Sequence, residues 1–122
     1  MATVFVIDDD PAMLDIVTTI LEAEGYLVET AADGEAALEK LKGFVPGIIV
    51  TDVMLPKLNG WQLCKKLKAA PATKNVPILV ITAKGEDISE LMSYESGADA
   101  YISKPFRNDE FLAQVKQLLE HK

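Results

Sequence analysis

The chain has 122 residues, a formal net charge of −7, one cysteine and one histidine. This length suits a single core, so we expect residues 1–122 to form one domain. The acidic charge argues against nucleic acid as a direct partner, no apolar run approaches the roughly 20 residues that span a bilayer, and the lone Cys64 excludes an internal disulfide. We therefore expect a cytoplasmic protein with no direct contact to nucleic acid or membrane.

Five short apolar runs, separated by segments with helical spacing, predict five strands. In chain order they are Val4–Ile7, Tyr26–Thr30, Ile48–Thr51, Ile78–Thr82 and Ala100–Ser103. Apolar residues recur at helical spacing between them, as in Leu14, Val17 and Leu21. Strands that alternate with helices imply βαβ crossovers, and therefore an α/β fold with a parallel sheet covered on both faces. We expect a doubly wound, flavodoxin-like sheet with the strand order 2-1-3-4-5.

The first predicted strand runs directly into three aspartates, Asp8, Asp9 and Asp10, which are followed by Pro11. Proline suits the first position of a helix and aspartate is a favoured N-cap, so we predict that Asp10 caps a helix that begins at Pro11. Helix capping explains only Asp10 among the three aspartates. Asp8 and Asp9 are adjacent like charges, and capping gives no reason for their position.

The third predicted helix carries Cys64 and the basic stretch Lys65–Lys68. Cys64 lies on the apolar stripe of this helix, so we predict a buried core thiol rather than a nucleophile. Isolated runs of charge usually face solvent, and we interpret Lys65–Lys68 as the solvated face of the helix.

Polar residues follow the carboxyl ends of four predicted strands. Asp8 and Asp9 follow the first strand, Asp52 the third, and Lys104 the fifth, while Thr82 ends the fourth. In an open parallel sheet, ligands bind outside the carboxyl ends of the strands, where the strand order reverses. With the order 2-1-3-4-5, these side chains converge at one edge.

The chemistry of these five side chains favours a metal and a phosphoryl group. Crowded carboxylates resist ionising together unless positive charge is near, and few, hard oxygen ligands suit Mg²⁺. Asp8 and Asp9 are then the candidate metal ligands. Asp52 can attack a phosphoryl group, while Lys104 and the Thr82 hydroxyl stabilise its oxygens, giving an aspartyl phosphate.

This ordered set resembles the receiver domain of two-component response regulators, of the chemotaxis-regulator type. The resemblance is carried by the acidic pair after the first strand, by "DVMLPKLNG" at Asp52–Gly60, by Thr82, and by "KPF" at Lys104–Phe106. It covers essentially the whole chain. A single aspartate of this kind would be a weak signal, whereas the ordered set in matching strand context is specific.

The resemblance implies a role for each residue of the set. Asp52 would be the phosphoacceptor, and Thr82 and Lys104 would hold the phosphoryl group. The cofactor would be Mg²⁺, held by Asp8, Asp9, Asp52 and the backbone carbonyl of Met54. The family also implies a cis bond between Lys104 and Pro105, although most X-Pro bonds are trans.

The resemblance further implies a signalling domain and not an enzyme, that is, a stoichiometric phosphoacceptor that assists its own phosphorylation and dephosphorylation. The phosphoryl group would come from a histidine kinase or a phosphotransfer protein. Thr82 and Tyr101 would act as a switch that changes the surface formed by the helix Ile88–Ser96, the strand of Tyr101 and the helix from Asp109 onward. A downstream protein or effector domain would bind that surface, and a phosphorylation-dependent dimer is a further expectation.

Two alternatives stay open at this point. Haloacid-dehalogenase-like phosphatases use a D-x-D pattern that Asp8 and Asp10 would satisfy, although Pro11 and the lack of a later acidic motif do not fit. A pseudo-receiver would use the same surface for binding without phosphorylation. The sequence also leaves open whether the chain stands alone or is the first part of a longer regulator.

Overall fold

The computed structural model describes residues 2–52, 60–83 and 97–120. In these ranges the elements are β1 (Thr3–Ile7), α1 (Pro11–Ala23), β2 (Leu27–Ala31), α2 (Gly34–Lys40), β3 (Ile48–Asp52), α3 (Gly60–Ala69), β4 (Ile78–Ala83), β5 (Ala100–Lys104) and α4 (Asn108–Glu120). All five predicted strands are confirmed, each within one residue at either end. The predicted helix Ile88–Ser96 lies outside the described residues.

The five strands form one parallel sheet with the order β2-β1-β3-β4-β5, which confirms the predicted topology. The register pairs Ile7 with Thr51. Asp8 and Asp52 are the next residues along these neighbouring strands. Both therefore reach the carboxyl edge of the sheet side by side.

Within residues 2–52, 60–83 and 97–120, two helices pack against each face of the sheet. On one face, α2 and α3 cover a buried cluster made of Phe5, Ile7, Ala31, Ala37, Ile49, Leu63, Cys64, Leu67, Val76, Ile78, Val80 and Ala98. On the other face, α1 and α4 cover Val4, Val6, Val17, Leu21, Ile48, Val50, Leu79, Ile81, Ile102, Phe111 and Val115. The thiol of Cys64 is fully buried, as predicted. Since both faces are covered, the central strands are apolar on both sides and polar residues are confined to their ends.

The local signal at the start of α1 acts as predicted. The Asp10 carboxylate accepts a hydrogen bond from the backbone N–H of Ala12 at 3.0 Å, and Pro11 is the first residue of the helix. Beyond the end of the helix, Gly25 has a φ of 91°, a conformation that glycine adopts at little cost. The Lys104–Pro105 peptide bond is cis, as expected. None of the described helices is long and apolar enough to cross a membrane.

Candidate functional site

Asp52 and Lys104 form the central contact of the carboxyl edge. Asp52 ends β3 and Lys104 ends β5, two strands away in the sheet. The Lys104 ammonium reaches past the end of β4 and donates a hydrogen bond to Oδ2 of Asp52 at 2.8 Å. The Asp52 side chain is 9% exposed and that of Lys104 is 31% exposed. This is a charge-assisted bond in a setting with limited solvent screening.

Asp8 is the most deeply buried acid of the site, at 2% exposure. Its Oδ1 accepts a hydrogen bond from the backbone N–H of Asp10 at 2.9 Å. Its Oδ2 is buried and has no hydrogen-bond partner among the residues that the structure describes. A buried carboxylate oxygen without a partner is unfavourable, and a bound cation would satisfy it.

The electrostatics of the site show an excess of negative charge. Burial raises the pKa of Asp8, and the charges of Asp52 and Asp9 add to this effect, against the Asp10 N–H bond and the Lys104 ammonium. Burial by itself lowers the pKa of Lys104, but the hydrogen bond and charge of Asp52, with the charge of Asp8, outweigh it and raise that pKa. Lys104 is therefore held charged, while ionised Asp8 lacks full compensation.

The donor set fits Mg²⁺ rather than a cation that needs a complete protein cage. Within residues 2–52, 60–83 and 97–120, no three acidic, histidine or cysteine side chains are grouped as a ready-made metal site. Mg²⁺ commonly binds through one or two carboxylates and keeps several waters. Asp8 and Asp52 supply such a pair. Asp9 is exposed beside them, and Met54 lies outside the described residues.

Thr82 reaches the same edge on the other face of the sheet. Asp52 pairs with Ile81, and side chains alternate between faces, so Thr82 lies on the face opposite to Asp52. Thr82 is 2% exposed and pairs with Ser103. Tyr101, two residues before Ser103, shares its face and packs against the α2–α3 cluster. The sheet thus brings Asp8, Asp52 and Lys104 together on one face and puts Thr82 and Tyr101 on the other.

The interpretation of Lys65–Lys68 as a solvated face is wrong for Lys68. Lys65 and Lys66 are exposed, but the Lys68 side chain is only 22% exposed and its ammonium lies 3.0 Å from Oδ2 of Asp99. The missed signal is helical spacing, since Lys68 comes four residues after the buried Cys64 and belongs to the same stripe.

Comparisons with known proteins agree on one family. A family model described as "Response regulator receiver domain" matches residues 4–116. Over 119 residues the chain is 40% identical to the DNA-binding dual master transcriptional regulator RpaA of Synechocystis. That alignment covers 98% of this chain and 49% of the relative, and the chain spans about half the length of the curated relatives it matches.

Solved structures match along the whole fold. The chemotaxis response regulator CheY4 of Vibrio cholerae superposes with a TM-score of 0.89 at 29% identity, covering 97% of this chain and 98% of the other. The receiver domain of the Pseudomonas aeruginosa sensor histidine kinase PA1611, crystallised with a magnesium ion coordinated in its active-site cleft, superposes with a TM-score of 0.90. It is 24% identical, with 98% of each chain covered, and is therefore a likeness of fold.

Replacing Asp8 by asparagine is expected to stabilise the metal-free protein at neutral pH. The folded-state pKa of Asp8 lies above its ordinary value of 3.8, so stability falls as pH rises from that value through the folded pKa. Above this window Asp8→Asn should raise the free energy of unfolding by roughly 0.5–2 kcal/mol, and below it the gain should vanish. Urea unfolding in EDTA across pH measures this. Asp9→Asn, at an exposed position, is the control and should give a smaller gain. Equal gains in the two variants would contradict the conclusion that burial destabilises the ionised Asp8 carboxylate.

Replacing Lys104 by methionine should destabilise the fold, because it removes the ammonium whose charge offsets that of the buried Asp52 carboxylate. We expect a loss of about 1–3 kcal/mol in the free energy of unfolding. Adding Asp52→Asn should recover most of that loss, since the uncompensated charge is then gone. Urea unfolding of the two single variants and the double variant gives the coupling, with the exposed Lys116→Met as the charge control. Simple additivity of the two changes would contradict a direct pair.

Proposed function

The chain belongs to the response regulator receiver domain family of two-component systems, and on that premise we propose that Asp52 is its phosphoacceptor. The observation that carries this proposal is the Lys104 ammonium bonded to Asp52 at 2.8 Å, beside the buried Oδ2 of Asp8, which has no hydrogen-bond partner in the part of the chain that the structure describes. One oxygen of Asp52 is thereby oriented by a cation in a site that still has excess negative charge. Such a site is suited to a phosphoryl group that arrives with a divalent cation.

In phosphoryl transfer, one residue of the chain would act as the nucleophile and two others would donate hydrogen bonds to the phosphoryl oxygens. A carboxylate oxygen of Asp52 attacks the phosphorus atom, and the bond from phosphorus to the donor breaks with its electron pair leaving on the donor. The Lys104 ammonium, already at this carboxylate, donates to a phosphoryl oxygen. The buried Thr82 hydroxyl, at the end of the adjoining strand, donates to another.

The proposed cofactor is Mg²⁺. The residues that would hold it are Asp8 and Asp52, with Asp9 and the backbone carbonyl of Met54 as the further ligands implied by the family. When bound, Mg²⁺ supplies the positive charge that lets three carboxylates and a phosphoryl group share one site. The orphaned Oδ2 of Asp8 supports this assignment, and so does the magnesium ion in the PA1611 receiver domain, which has the same fold.

We propose a histidine kinase or a phosphotransfer protein as the phosphoryl donor in a cytoplasmic pathway. Each chain would accept one phosphoryl group and would assist its own phosphorylation and dephosphorylation without turning over a separate substrate. The single, buried cysteine, which cannot form an internal disulfide, supports a reducing compartment. The downstream partner would be a protein target or an effector domain, and a dimer that forms on phosphorylation belongs to the same proposal.

The proposed output surface includes β5, α4 and the helix expected at Ile88–Ser96. A groove beside the site supports this placement, because it extends from Lys104 past Tyr101 to residues of α4, namely Glu110 and Gln114. Thr82 and Tyr101 share one face of the sheet, so a hydroxyl drawn toward the phosphoryl group changes the space beside the aromatic ring. The hydrogen bond from Thr82 would be the contact that differs between the two states, as any ligand-driven switch requires.

The haloacid-dehalogenase alternative is not favoured. Its second aspartate would be Asp10, whose carboxylate instead accepts the Ala12 N–H as the cap of α1. A receiver that binds partners without phosphorylation differs from our proposal in one measurable respect, the uptake of a phosphoryl group.

Intact mass tests the phosphoacceptor directly. After incubation with acetyl phosphate and Mg²⁺, the wild-type chain should gain the mass of one phosphoryl group, because the nucleophile and its neutralising charges are present. Asp52→Asn should gain none, and Asp15→Asn, on the exposed side of α1, should behave as wild type. Uptake by the Asp52 variant would contradict the assignment, and no uptake by the wild type would favour the pseudo-receiver.

Thr82→Ala should separate phosphoryl binding from the response to it. Asp52 and Lys104 remain, so the variant should still bind beryllofluoride with Mg²⁺, a mimic of the phosphoryl group. The change in amide hydrogen exchange that the mimic causes across Ala100–Ser103 should be lost, since the hydroxyl that couples the site to Tyr101 is missing. Thr73→Val removes a buried hydroxyl elsewhere and serves as the control. A wild-type exchange response in Thr82→Ala would refute the role of Thr82 as a switch.

A further inference from the structure

Lys68 joins three separate parts of the fold at the edge opposite to the candidate site. It lies in the last turn of α3, and its ammonium donates to the backbone oxygens of Lys74 and Val76 at 3.3 and 2.9 Å, and to Oδ2 of Asp99 at 3.0 Å. The first two acceptors belong to the connection between α3 and β4. The third lies just before β5. The three donors of one ammonium are thus all satisfied, and the group is fixed in position.

Asp99 in turn ties the start of β5 to the start of β4. Its backbone N–H donates to the carbonyl oxygen of Ile78 at 2.9 Å, and its Oδ2 accepts the Ile78 N–H at 2.8 Å. Residue 99 therefore exchanges two hydrogen bonds with residue 78 before the regular ladder begins at Leu79 and Ala100. The same carboxylate oxygen receives the Lys68 ammonium, so the two contacts reinforce one another.

The backbone leaves a tight path for the Lys68 stem. A Cβ atom on Gly97 would lie 2.8 Å from Cγ of Lys68, closer than carbon atoms approach. Gly97 also has a φ of +95°, which disfavours side chains. The stem is thus held against the chain entering β5, which limits the positions that the ammonium can take.

The hydrogen-bond ladder between β4 and β5 connects the fixed start of β5 to the candidate site. From Leu79 and Ala100, the register continues to Ala83 and Lys104 in an unbroken series, over about 13 Å. In the described sheet β5 is an edge strand, paired with β4 alone, so no second neighbour fixes its register. A slip of one residue would move Lys104 by about 3.3 Å and turn it to the other face of the sheet, away from Asp52.

We infer that Lys68 is a positioning residue for phosphoryl transfer, because it pins β5 to β4 through Asp99 and thereby holds Lys104 at Asp52. This inference rests on the proposed role of Asp52. By this inference Lys68, which lies far from the reacting atoms, keeps Lys104 in position to contact the phosphoryl group. Its effect is on the rate of the chemical step. Mg²⁺ binding does not depend on the contact between Lys68 and Asp99, since the proposed ligands Asp8 and Asp52 are carried by β1 and β3.

The test compares Lys68→Met with Lys66→Met, which removes the same charge from an exposed position on the same helix. A second control is Thr73→Val, which breaks the buried Thr73 hydroxyl bond to the Leu67 oxygen in the same connection and leaves Asp99 untouched. All variants are studied at a temperature where circular dichroism shows them folded. Initial rates of phosphorylation are measured at saturating acetyl phosphate and Mg²⁺, and Mg²⁺ affinity is measured by calorimetry.

We expect Lys68→Met to lower the maximal rate by roughly tenfold, less than the ~100-fold that a 1 Å misplacement can cost, with Mg²⁺ binding retained. Lys66→Met and Thr73→Val should keep the wild-type rate. A wild-type rate in Lys68→Met would overturn the inference. An equal loss in Thr73→Val would also overturn it, because general destabilisation would then be the cause.

A crystal structure of Lys68→Met provides a readout that does not depend on phosphorylation. The distance from Lys104 Nζ to Asp52 Oδ2, 2.8 Å in the wild-type chain, should increase beyond hydrogen-bonding range. An unchanged distance would overturn the inference. If the wild-type chain takes up no phosphoryl group, the proposed function fails, while this distance still decides whether Lys68 positions Lys104.

Discussion

Negative charge held at the carboxyl edge of a buried parallel sheet is the constraint on which the rest of this structure depends. Asp8 and Asp52 are carried there by neighbouring strands whose register leaves them side by side. Burial limits the solvent that would screen them, and one Asp8 oxygen has no partner within the described chain. The Lys104 ammonium offsets part of this charge. The remaining imbalance favours a bound cation, and under the proposed function Mg²⁺ would offset the charge of these carboxylates and of a phosphoryl group on Asp52.

Under the proposed function, the fold would separate the chemistry of this edge from its readout by using both faces of the sheet. Asp8, Asp52 and Lys104 share the face covered by α1 and α4, whereas Thr82 and Tyr101 share the face covered by α2 and α3. A phosphoryl group on Asp52 lies at the strand ends, where both faces are within reach. One group can thus be held by residues of one face and sensed by residues of the other, which needs no long pathway through the core.

The edge of the sheet opposite to the site would contribute by fixing the alignment of Lys104 with Asp52. Lys104 acts at a distance of two strands from Asp52, and it is carried by an edge strand that has one neighbour in the described sheet. Hydrogen bonds along β4 and β5 set its direction, but the paired bonds between Asp99 and Ile78, with the Lys68 ammonium, set where that ladder starts. If our inference holds, the position of Lys104 at one end of the molecule depends on Lys68 at the other end.

The sequence by itself predicted the strands, the sheet order and the cap at Asp10, all of which the structure has, and it supplied the candidate site residues. The strands and the cap follow from short-range rules, namely apolar periodicity and capping chemistry, and the candidate site follows from the fact that parallel strands end at one edge and from the family resemblance. Only the tertiary structure decided which of those residues touch. It paired Lys104 with Asp52, left Asp9 exposed, put Thr82 on the opposite face, and turned Lys68 from an apparently solvated charge into the ion-pair partner of Asp99. Distances across strands and the burial of a charge depend on partners far away in the chain, and a local pattern does not contain them.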